Sequence, residues 1–173
     1  MLTTRLCDLF GIEFPIIQAG MGPFTSAELV AAVSNAGALG SLGAGARNLD
    51  DLKSQLTRIR ELTERPFAVN FTLQGGIDDE AFSLALEARP ALISFALGDP
   101  GKRVNRAHNA GILVMLQCTS VAHARQAVKL GVDVIIAQGG EAGGFGGIVS
   151  TLALVPQSVG CSGNQHRYAV LSF

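Results

Sequence analysis

Six short apolar runs, beginning near Phe14, Ala38, Phe67, Ala91, Ile112 and Val132, recur at intervals of 20 to 29 residues with amphipathic stretches between them. No other feature restricts the fold as much. Runs that are apolar at consecutive positions suit strands covered on both faces, and an intervening helix returns the chain for parallel pairing. Hydrophobic residues make up 48% of the chain and charged residues only 16%, against a usual charged share of about 25%. A chain this poor in charge has to place much of itself between layers. The expectation is an α/β fold of six βα units.

The intervening segments carry helix signals. Thr25-x-x-Glu28 has the capping-box pattern and precedes Leu29, Val30 and Val33, with Gly37 as the stop. Asn48 is placed to cap a helix with Leu52, Leu56, Ile59 and Leu62 on one face. Asp78 or Asp79, Asp99 followed by Pro100, and Thr119 or Ser120 supply the next three starts, and Gly111 and Gly131 supply stops. A sixth helix begins over 152–157. An open doubly wound sheet is complete at about this length, whereas an eight-unit barrel typically needs ~250 residues. Length favours the open sheet and the motifs favour the barrel.

Thirteen basic and fourteen acidic residues, scattered without runs, give a net charge of −1 and no electrostatic footprint for nucleic acid or an anionic membrane. Cys7, Cys118 and Cys161 form neither a disulfide framework nor a zinc pattern, so a cytoplasmic protein is expected. No segment approaches the roughly 18 unbroken apolar residues of a membrane span.

In either closure, ligands meet the C-terminal ends of the parallel strands. Those ends carry Gln18-Ala19-Gly20-Met21-Gly22, Asn70, Gly98-Asp99, Gln117 and Gln138. Amides supply neutral donors and acceptors without a fixed charge, which suits the polar edge of a heterocycle such as a flavin. After the last apolar run comes Gln138-Gly-Gly-Glu-Ala-Gly-Gly-Phe-Gly-Gly147, with six glycines in ten residues. Such a backbone approaches a ligand without side-chain obstruction. Glu141 is the only carboxylate in this loop and is either a base or a loop-ordering acceptor. His108, His123 and His166 share no ligand spacing, and Gly98-x-x-Gly101-Lys102-Arg103 lacks the phosphate-loop pattern.

Four ordered blocks, Phe14-Pro-Ile-Ile-Gln-Ala-Gly-Met21, the strand ending in Asn70, the segment Gln117 to Val121, and the 138–147 loop, resemble the nitronate monooxygenase family, formerly the 2-nitropropane dioxygenases. The similarity runs from about Leu6 to Gln157. It implies an FMN-dependent TIM-type (β/α) barrel, here incomplete at about six of eight βα units. The implied activity is oxidation of alkyl nitronates with O2, a flavoprotein monooxygenase reaction. A related branch reduces enoyl thioesters, and a catalytically silent fragment that only binds a partner is a third reading. By position, Ala19, Gly20, Met21, Gly22, Asn70, Gln117, Gln138, Gly143 and Gly144 would hold FMN, with no metal.

Two departures stand out. Phe145 occupies the place where the family loop usually carries a histidine, and phenylalanine neither takes nor gives a proton. Abstraction of a proton from a neutral nitroalkane is therefore expected to fail. After Gln157 the apolar periodicity and the resemblance end together. The expected organisation is a partial FMN barrel over 1–157 and a divergent, poorly ordered tail over 158–173, as in a truncated product. Open sheet edges in such a chain invite self-association.

Overall fold

A computed structural model describes residues 3–144, 146–162 and 169–171. Six parallel strands form one sheet in chain order: β1 (Gly40–Gly43), β2 (Phe67–Thr72), β3 (Leu92–Ala96), β4 (Leu113–Cys118), β5 (Val134–Ala137) and β6 (Ala169–Leu171). The helices are α1 (Arg5–Phe10), α2 (Ala27–Asn35), α3 (Leu49–Leu62), α4 (Asp79–Glu87), α5 (Arg103–Asn109), α6 (Val121–Leu130) and α7 (Thr151–Ser162). This is a partial barrel-type α/β sheet, with each next strand joining the same side of the last.

Alternation along the strands separates two cores. Leu42, Val69, Phe71, Ile93, Phe95, Val114, Leu116 and Ile135 face outward and meet α2 to α6 through residues such as Val30, Leu56, Ile59, Phe82 and Ala107. Phe71, Phe82 and Phe95 pack with ring centroids 5.6 to 6.3 Å apart. Leu39, Ala68, Leu92, Met115 and Val134 face inward and pack on Leu6, Cys7, Phe10 and Ile12. Helix α1 thus closes the N-terminal end of the inner face. Its stripe of Leu6, Leu9 and Phe10 is short and was not anticipated from the periodicity.

Most helix starts follow their caps. Asn48 accepts from the Asp51 N–H, Asp78 from Glu80 and Ser120 from His123. Two expectations need correction. Ser26, not Thr25, caps α2, because the buried Thr25 hydroxyl accepts the Met21 N–H at 2.9 Å. Asp99 accepts the Gly101 N–H in a turn at 2.8 Å, and α5 starts only at Arg103. The strand expected from Phe14 is reduced to a parallel bridge between Ile17 and Leu39, flanked by two main-chain hydrogen bonds of 2.9 Å. On one side Ile16 N turns to Phe14 O at 2.7 Å, and on the other the Gln18 side chain takes the Ser41 N–H and carbonyl in place of a continuing main chain. At the other end, α7 runs past Gln157 to Ser162, and residues 169–171 pair with β5. Among the described residues no helix is long and apolar enough to cross a membrane.

Candidate functional site at the strand ends

The inner face changes character along its length. Its N-terminal layer is apolar and sealed by α1, whereas its C-terminal layer carries Ser41, Asn70, Ser94 and Gln117, and Gln138 continues the same alternation beyond β5. In register, Gly43 lies beside Asn70, Asn70 beside Ser94, and Gln117 beside Ile136. Five neutral polar side chains therefore converge where parallel strands end. Buried or half-buried amides and hydroxyls of this kind need partners, from the protein or from a ligand.

The turn over 18–22 lies directly on this layer. Gln18 donates from Nε2 to Ala19 O at 2.8 Å and to Ser41 O at 3.2 Å, and its Oε1 accepts from Ser41 N at 3.3 Å. A Cβ at Gly20 would sit 2.5 Å from Asn70 Cβ, and one at Gly43 would sit 2.4 Å from Gly22 N. Gly22 itself has φ of 54°. Glycine is thus required at 20 and 43 by close approach and favoured at 22 by backbone conformation. Met21, 48% exposed, is left projecting from the turn.

Arg47 holds this arrangement from behind and was not singled out from the sequence. Its side chain is only 4% exposed. Nε donates to Gly43 O at 2.7 Å, and the terminal nitrogens donate to Pro23 O, Thr25 O and the Asp51 carboxylate. The planar fork knits the end of β1 to the turn. A lone arginine just after a glycine-rich strand end carries no sequence signal for this, because its acceptors are main-chain carbonyls.

The second loop is organised around Gln138 and Glu141. Gln138 is 4% exposed, and its Nε2 donates to Gly143 O at 3.1 Å. Glu141 Oε2 accepts from Thr151 N at 2.8 Å and from Thr151 Oγ1 at 2.7 Å, at the first residue of α7. Those hydrogen bonds, with the main-chain donor foremost, draw the Glu141 carboxyl down to about 2. It is an ionised acceptor at a helix start, which decides between its two earlier roles in favour of loop ordering. Gly147 is pressed against Thr119 O, 2.9 Å from an added Cβ, whereas a Cβ added at Gly143 or Gly144 would meet nothing within 4 Å among the described residues. Phe145 lies outside the described residues.

The structure therefore brings Ala19 to Gly22 onto Asn70, and Gln138 onto Gly143, with Gln117 on the face between the two groups. No hydrogen bond to the Gln117 side chain is made among the described residues. Ser94, Ser41, Thr151 and Arg47 are the participants that sequence reasoning missed. Cys118 is buried on the helix side, and burial raises its thiol to about 12, which removes it as a nucleophile. A concavity between α6 and α7, lined by Arg125, Gln157 and Cys161 among others, belongs to that same outer side.

Comparison with known proteins assigns the family. The model of the Nitronate monooxygenase family matches residues 3–83 and 72–161. The chain belongs to the nitronate monooxygenase family. A nitronate monooxygenase from Paraburkholderia phytofirmans is 34% identical over a gapped alignment of 182 positions that covers 83% of this chain and 50% of that protein. A (3aS,4S,5R,7aS)-5-hydroxy-7a-methyl-1-oxo-octahydro-1H-indene-4-carboxyl-CoA dehydrogenase from Mycobacterium tuberculosis is 37% identical over 155 residues, 90% of this chain and 44% of that one. Among solved structures, FabK from Thermotoga maritima superposes with a TM-score of 0.91 at 33% identity, covering 99% of this chain and 54% of its own. Nitroalkane oxidase from Streptomyces ansochromogenes gives 0.82 at 28% identity, covering 97% and 60%. The chain spans about half the length of the curated relatives it matches.

Proposed function

We propose that this chain carries the ring-side part of an FMN site in an oxidoreductase that converts alkyl nitronates with O2. The observation that carries the reading is the layer of neutral amides and hydroxyls at the parallel strand ends, flanked by two glycine-rich backbones. The donor set fits such a ring: it offers amides, hydroxyls and main-chain groups without a fixed charge. Asn70, Gln117 and Gln138 would hold the polar edge, the Ala19 to Gly22 turn and Gly143-Gly144 would border it, and Met21 would supply an apolar, polarizable wall. When bound, the flavin supplies electron acceptance from substrate and reaction with O2.

The residues of the chain do the rest. Main-chain N–H groups and neutral amides stabilise negative charge near the ring without adding a formal charge. Glu141, ionised and held by Thr151, orders the loop and takes no proton. Phe145 supplies no base, so the preferred substrate is a nitronate that is already deprotonated.

An anaerobic FMN titration followed by addition of an alkyl nitronate tests the reading. Flavin reduction is expected with the nitronate and not with the matching neutral nitroalkane, and Phe145→His is expected to gain turnover of the latter. Equal reduction by both substrates in the unaltered chain would refute the restriction, and a chain that takes no FMN would refute the cofactor.

A second reading, an enoyl thioester reductase, is favoured by the 37% identity to a CoA-thioester dehydrogenase. Consumption of NAD(P)H with an enoyl thioester in the absence of O2 would select it. A chain that binds neither FMN nor either substrate would leave a role in partner binding, with the sheet edges available for self-association.

A further inference from the structure

Asn70 is held from two sides. On one side, its Nδ2 donates to Ser94 Oγ at 3.3 Å and lies 3.5 Å from Ser94 O. A main-chain carbonyl can only accept, so the amide group turned toward β3 has to be the NH2. On the other side stands Gly20, whose added Cβ would lie 2.5 Å from Asn70 Cβ and 3.0 Å from Cγ. The Asn70 side chain has little room to swing toward the turn.

Ser94 is well placed for this. It is 4% exposed, sits opposite Asn70 in the ladder, and lies one inward step beyond the apolar Leu92. A hydroxyl this buried needs a hydrogen-bonding role, and the Asn70 amide provides one. With the NH2 committed to β3, Oδ1 is the remaining polar atom, and no donor among the described residues reaches it.

We propose that Ser94 is a positioning residue: it fixes the Asn70 amide so that Oδ1 is offered as an acceptor to a ligand edge carrying an N–H donor. The inference rests on the flavin reading above for its ligand, since the imide of a flavin ring carries such a group. Its geometric half concerns this chain alone.

Two measurements separate those halves. In the ligand-free, 15N-labelled chain, Ser94→Ala is expected to shift the Asn70 side-chain NH2 signals and to speed their exchange with water by about threefold or more. Ser94→Thr, which keeps the hydroxyl, is expected to restore both. In parallel, FMN binding followed by quenching of flavin fluorescence is expected to weaken roughly 3- to 10-fold in Ser94→Ala, as for loss of one hydrogen bond. Ser94→Ala is expected to add nothing in an Asn70→Ala background. Far-UV circular dichroism checks that each variant folds.

Unchanged Asn70 signals in Ser94→Ala would overturn the positioning role. So would an equal loss of FMN affinity with and without Asn70. If the unaltered chain binds no FMN, the ligand half falls with the flavin reading, and the NMR comparison still decides whether Ser94 positions Asn70.

Discussion

The two glycine-rich stretches that border the site are built on different principles. Around 18–25, close contacts surround the turn: Gly20 presses on Asn70, Gly22 on Gly43, Thr25 closes onto Met21, and Arg47 ties the turn to β1. In 138–147, the two feet are fixed, with Gly139 against Thr151 and Gly147 against Thr119, while a Cβ added at Gly143 or Gly144 would meet nothing within 4 Å among the described residues. The first has fewer glycines yet is the more constrained. Glycine content therefore measures what a backbone is permitted to do, and neighbouring atoms decide what it is made to do.

That contrast breaks most sharply at Arg47. Arg47→Ala leaves Gly43, Pro23 and Thr25 carbonyls without their charged donor and is expected to cost about 2–4 kcal/mol, read from urea unfolding. Next in size, Gly43→Ala drives a methyl to 2.4 Å from Gly22 N and is expected to cost about 1–3 kcal/mol as overpacking. Gly143→Ala, with open space around it, should change stability by less than ~0.5 kcal/mol. Similar losses at positions 43 and 143 would remove the distinction between a jammed turn and an open tip.

A pH-dependent effect belongs to the feet of the second loop. The Glu141 carboxyl is lowered from 4.5 to about 2 in the folded chain, so its contribution is complete above about 4.5 and is lost as pH falls toward 2. The stability difference between the chain and Glu141→Gln, followed by urea midpoints against pH, should be flat from pH 8 to 5 and shrink to nothing near pH 2. A difference that instead changes between pH 6 and 8 would show that Glu141 is not the titrating group.

The βα repeat was legible because each strand is a covered apolar run and each helix carries a local cap or glycine stop, signals contained within a dozen residues. Asn48, Asp78 and Gly131 act as their local sequence predicts. Thr25 and Asp99 do not, since the first is diverted to Met21 and the second to Gly101. The first diversion is set by a turn packed on β1 and β2, the second by a tight turn between β3 and α5. Family membership was legible too, from four ordered blocks at strand ends. Ser94 and Arg47 were silent because a serine in an apolar run and an arginine after a strand read as ordinary until their partners are known.

The sequence by itself determined the parallel α/β character, the family and the amide identity of the strand-end layer, because these rest on residue type and on periodicity along the chain. Tertiary structure alone decided which amide is clamped, which carboxylate is tied down and which glycines are jammed. Each of those depends on distances between segments more than 20 residues apart, such as Gly20 to Asn70 and Asn70 to Ser94, or on the exact path of one loop, as for Glu141 and Thr151. Hydrogen bonds and steric contacts act over a few ångströms, and only the folded sheet brings those atoms within that range.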